Sequence, residues 1–160
     1  KEVQAEEITA YVDEVSNEPL ISKELTPGRV VAELQGSLEG TTEWILSNGV
    51  RGVLKKTNFK DDEIIMYAVS KGGKALYDAA DASTLKVFPY LHEAGGLGNF
   101  SVTNLQKALA GKKASTGLGI NLFTEVVNGN CAVKDLETML QLTHLTFTDI
   151  RNRRRNFKIL

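Results

Sequence analysis

"LHEAGGLGNFSVTNLQKALAGK", residues 91–112, carries three overlapping readings, and choosing among them decides the fold. His92-Glu93, followed by Ala94, Gly95 and Gly96, spells a zinc-protease HExxH motif whose second histidine has become a glycine. Gly96-x-Gly98-x-x-Ser101 comes close to the glycine fingerprint that cradles a dinucleotide phosphate. The third reading is a helix end joined to a helix start. Glycines in left-handed geometry cap the first helix, Ser101 caps the second, Val102, Leu105 and Leu109 line one face, and Gly111 stops it.

Context selects the third reading. A phosphate fingerprint requires a strand leading in and a helix leading out, because the glycines bring the backbone against the pyrophosphate at the helix N-terminus. Here a helix leads in: Leu85, Phe88 and Leu91 mark residues 81–94, with Pro89 expected to kink or restart it. HExxH places two histidines one helical turn apart on one metal, with the glutamate as base. Gly96 supplies no ligand, and neither Cys131 nor His144 stands at a recognised ligand spacing from His92. At a helix end, His92 instead suits the negative pole of the helix dipole.

Outward from this stretch, the strands come in hairpins. "EWIL", Ser47-Asn48-Gly49 and "VRGVLKK" predict two antiparallel strands, with Asn48-Gly49 at positive φ in a tight turn. After "TNFKDD", the apolar run "EIIMYAVS" predicts a buried strand ended by Gly72-Gly73. Residues 113–130 predict two more strands with a turn near Asn121. A helix over 133–150 follows, with Leu136, Met139, Leu140, Thr143, Phe147 and Ile150 as its stripe. At the start, Ile8, Tyr11, Val12 and Val15 predict an amphipathic helix over 4–15, and "SNEPLISKELTPG" (16–28) reads as a linker. Hairpins with helices gathered between them indicate an α+β fold, a largely antiparallel sheet with helices on one face.

Composition bounds the function classes. The chain has 160 residues, 42% hydrophobic and 24% charged, with net charge -1, as expected of one globular domain and unlike a disordered or membrane chain. Setting aside the five basic residues among the last ten, 14 Lys and Arg remain against 20 Asp and Glu, so the body is acidic and only "RNRRRNFK" is basic. That tail, Arg151 to Lys158, offers charge and stacking for phosphates, but an acidic body argues against a nucleic-acid footprint. A lone cysteine, Cys131, allows no internal disulfide, and no run is long and apolar enough to span a bilayer. An opening without Met fits a piece of a longer protein. "GGKALYD" and "AGKKAS" lack the upstream glycine of a P-loop, and no GxSxG occurs.

Three stretches in order carry a family likeness: "WILSNGVRGVLKKTNFKDDEIIMYAVSKGGKALYD" (44–78), "GLGNFSVTNLQKALAGKKAS" and "NGNCAVKDLETMLQLTHLTFTDIR". Together, over about residues 27–151, the chain resembles a domain of the pitrilysin/insulinase family of zinc metallopeptidases, specifically the bacterial zinc proteases. The resemblance implies an α+β domain of the mitochondrial-processing-peptidase type, paired with sister domains into two halves that enclose a peptide-degrading chamber. It implies zinc in the first half alone, held by His-x-x-Glu-His on a helix and a further glutamate. The matching helix here, "DASTLKVFPYLHEAGG", lacks that motif, so no residue of this chain is assigned a catalytic, cofactor-binding or metal-binding role.

By that resemblance the segment is a non-catalytic, second-half domain. Residues 1–26 are then the helix and linker of the preceding domain, and 27–160 a single domain. Its partners would be the other domains of the parent chain and the peptide substrate, with neither nucleic acid nor a membrane span, in a bacterial periplasm. A scaffold or processing partner in a catalytically dead homologue is the alternative. The basic tail departs from the acidic continuation the family leads one to expect.

Overall fold

The computed structural model describes residues 18–151, apart from the side chains of residues 91–93. The expected helix over 4–15 and the tail beyond Arg151 lie outside the described residues. Three strands, β1 (Val30–Gln35), β2 (Thr41–Leu46) and β3 (Arg51–Lys55), form an antiparallel meander in that order. A second antiparallel sheet has β4 (Glu63–Lys71) and β5 (Ala114–Ile120) on either side of β6 (Thr124–Ala132). Helices α1 (Ala82–Gly95), α2 (Val102–Ala108) and α3 (Leu136–Thr148) complete an α+β architecture whose strands divide between two sheets.

Local chemistry accounts for most of the boundaries. The β2–β3 hairpin forms as Ser47-Asn48-Gly49 predicts, but its turn differs in type. Gly49 N–H donates to Leu46 O, Leu46 N–H donates to Val50 O, and positive φ (86°) falls on Gly49 alone. This is a three-residue loop, a type I turn closed by a left-handed glycine, so Asn48 needs no strained backbone. Instead its side chain accepts from Val50 N–H at 3.2 Å. The β5–β6 hairpin turns at Asn121 as expected, and Gly72-Gly73 end β4. Lys74 and Ala75 N–H then donate to Asn121 and Leu122 O at 2.8 Å. β1 begins at Val30, with Arg29 between it and the Pro27-Gly28 turn signal, and that linker-like approach hides it in the sequence.

Helix α1 runs unbroken through Pro89, although the proline ring leaves the Leu85 carbonyl without its helical donor. It ends at Gly96, whose φ of 85° and ψ of -179° are an extended, glycine-specific conformation rather than the left-handed cap expected. A side chain there would meet Phe100 O at 2.3 Å. Ser101 caps α2 as predicted, accepting from Asn104 N–H at 3.2 Å.

α3 packs against β5 and β6 with a face that shares Met139 and Thr143 with the predicted stripe but is otherwise rotated from it. Thr138, Met139, Leu142, Leu145 and Thr146 are buried, whereas Leu136, Leu140 and Phe147 point outward. Thr146 Oγ1 donates to Leu142 O at 2.9 Å, so the buried hydroxyl is satisfied inside the helix. Gly129 on β6 lets α3 come close, since a Cβ there would meet Met139 Sδ at 2.7 Å and Met66 Cε at 3.1 Å. At the other end of α3, Leu97, Leu142 and Leu145 form a buried cluster with Leu105, Leu109 and Ala114 against it. Leu20 and Ile21 join that cluster, so the stretch read as linker is in part a structural arm.

Candidate functional site

The stretch 91–101 joins the end of α1 to the start of α2. The backbone of His92-Glu93 belongs to the last turns of α1. Their side chains lie outside the described residues. Leu97 and Phe100 are buried, Gly98 N–H donates to Asp149 O at 2.8 Å, and Arg151 N–H donates to Gly96 O at 3.1 Å. The backbone donors a phosphate would need are thus partly engaged with the chain that leaves α3. Arg151, the first residue of the basic tail, turns inward and donates from Nη1 to Asn99 O at 2.6 Å.

The remaining candidates stay apart. Cys131 is 1% exposed on the β6 face that meets α3, and burial, with Asp135 as a lesser cause, pushes its thiol up and keeps it protonated. Asp135 is itself engaged, accepting Lys113 N–H at 2.8 Å, which ties the start of β5 to the start of α3. His144 lies on the flank of α3 that faces Ile21 and Lys23, away from the sheet. Among the described residues, no three His, Cys, Asp or Glu side chains group as metal ligands. Nor is any helix among these residues long and apolar enough to cross a membrane.

What the structure does display is an unpartnered sheet surface. β4 alternates as strands do. Met66 faces α3, while Ile65, Tyr67 and Val69, 73%, 66% and 56% exposed, share the opposite face. The buried strand expected from "EIIMYAVS" is therefore half-buried at most, through Ile64 and Met66 on one side. On the exposed face, Ile65 pairs Asn130 and Tyr67 pairs Asn128, with Ser115 and Gly117 beyond on β5, which makes the surface low and part polar. Glu63 accepts from Asn130 Nδ2 at 2.9 Å and from Lys60 Nζ at 3.2 Å, and these bonds hold its carboxyl below the usual range. β4 has no second strand partner among the described residues. An open edge and an apolar face together can receive an extended peptide through backbone bonds and alternate side-chain contacts.

No family model matches the chain. A PqqL-like zinc protease of Arabidopsis thaliana is 28% identical over 117 residues, which are 73% of this chain and 12% of that protein. The periplasmic protease PqqL from Escherichia coli shares the fold at a TM-score of 0.78 and 20% identity, covering 92% of this chain and 16% of that one. A mutant of the ferredoxin protease FusC, in complex with Arabidopsis ferredoxin, does so at 0.66 and 18%, covering 89% and 16%. The chain thus spans a small fraction of each of these relatives.

Proposed function

The chain matches a partial domain of a pitrilysin/insulinase-family peptidase, and from that premise we propose that it is a non-catalytic domain of a zinc protease. In this reading it forms part of the wall around the peptide substrate, while zinc and hydrolysis belong to another part of the parent protein. The observation that carries the reading is the sequence of α1 and its approach. "DASTLKVFPYLHEAGG" holds a single histidine, at the helix end, followed by glutamate where the family motif has Glu-His in the reverse order. The domain then acts by shape. Its open β4 edge and the Ile65, Tyr67 and Val69 face are the surfaces an extended peptide would meet, and the remaining domains of the parent chain are its standing partners. The bacterial periplasm, where the Escherichia coli neighbour works, is the compartment proposed with this role.

Metal content tests the proposal. The purified 160-residue chain is expected to hold no stoichiometric zinc by plasma mass spectrometry and to cleave no unstructured peptide. Tight zinc binding that is abolished by His92→Ala would overturn the reading.

A further inference from the structure

Asn-Gly occurs twice in the chain, at Asn48-Gly49 and at Asn128-Gly129, and the fold treats the two sites differently. The dipeptide is chemically labile because glycine has no side chain to shield its amide nitrogen, which can swing onto the Cγ of the preceding asparagine. Both asparagines are exposed, so access to water does not separate the sites. Backbone freedom does.

We propose that Asn48 is a site of spontaneous deamidation, with water as the co-reactant, and that the fold protects Asn128. The inference goes beyond the protease reading and does not depend on it. Gly49 N gives up its proton to hydroxide and bonds to Asn48 Cγ. The Cγ–Nδ2 bond then breaks, and ammonia leaves with a proton taken from water. A water molecule opens the resulting cyclic imide at either carbonyl and yields aspartate or isoaspartate.

The hairpin tip favours this step. Val50 N–H donates to Asn48 Oδ1 at 3.2 Å, so the oxygen that gains charge as Gly49 N attacks already has a donor. Gly49 stands in open space, with no atom within 4 Å of the place a side chain would take. Its nitrogen is held by the bond to Leu46 O at 2.9 Å, at the tip of a meander that packs little against the helices. Fraying of that tip frees the nucleophile.

At Asn128 the same step meets the ladder. Asn128 pairs Tyr67 on one side and Gly117 on the other, and Gly129 pairs Met66 and Thr116. Gly129 also lies under α3, where Met139 Sδ fills the place of a side chain at 2.7 Å. Turning its nitrogen toward Asn128 Cγ requires opening the central strand of the closed sheet, a far rarer event than fraying a turn. The products matter at Asn48 in particular. Isoaspartate lengthens the main chain and aspartate adds a charge, both inside the loop that sets the β2–β3 register.

Peptide mapping of the folded chain, aged at mildly alkaline pH in heavy-oxygen water, tests this. The peptide holding Asn48 is expected to take up heavy oxygen and resolve into aspartate and isoaspartate forms, at least about tenfold faster than the peptide holding Asn128 reacts. No reaction at Asn48, equal rates, or faster reaction at Asn128 overturns the proposal. The same ageing in urea separates the fold from the dipeptide. There the two rates are expected to converge, and a ratio that persists overturns the protection assigned to β6.

Discussion

The two sheets use similar strand sequences and bury them differently. In the β4–β6–β5 sheet, Met66, Val127 and Cys131 lie under α3, and one face is closed. In the β1–β2–β3 meander, Val31, Leu34 and Val53 are more than half exposed or at half, while the buried side chains are Thr41 and Glu43. Pairing and polar contacts hold the meander instead. Trp44 Nε1 donates to Glu33 at 2.9 Å, and Arg51 Nε donates to Glu43 at 2.7 Å across the hairpin. Strand propensity and turn chemistry are enough to write a sheet, but burial decides which sheet carries stability.

The contrast predicts a ranking of substitutions. Met139→Ala, which empties the space between α3 and Gly129, is expected to cost about 2–5 kcal/mol in urea unfolding. Gly96→Ala comes next at about 1–3 kcal/mol, because it forces a side chain into a glycine-specific conformation against the Phe100 carbonyl. Val53→Thr, on the exposed meander, is expected to change stability by less than about 0.5 kcal/mol. If Val53→Thr matched Met139→Ala, the division between a packed and an open sheet would fail. A Gly96 cost near zero would place the joint between α1 and α2 outside the packed unit.

Much of the fold was legible where a residue has one use. Ser47-Asn48-Gly49 marked a hairpin, Ser101 marked a helix start, and Gly72-Gly73 marked a strand end, because turns and caps are local chemistry. Facing was not legible. "EIIMYAVS" and the α3 stripe are apolar enough to suit either side, and periodicity names a face without naming its neighbour. "SNEPLISKELTPG" hid an arm, since Leu20 and Ile21 reach the core from an irregular backbone that carries no period. The candidate site was legible mainly as a departure, His92-Glu93 in the wrong order. The open β4 face is not legible in the sequence, because exposure of Tyr67 depends on what lies above the sheet.

The packing at Gly98 has one more consequence. Its N–H meets Asp149 O, and its bare α-carbon lies against Leu145 and the Leu20 carbonyl, while Leu97 bridges to Ile150. The two ends of the described chain thus lie side by side on one spot of the fold, and a fold closed in this way tolerates circular permutation and insertion into another chain, because cutting or joining it there strains nothing else.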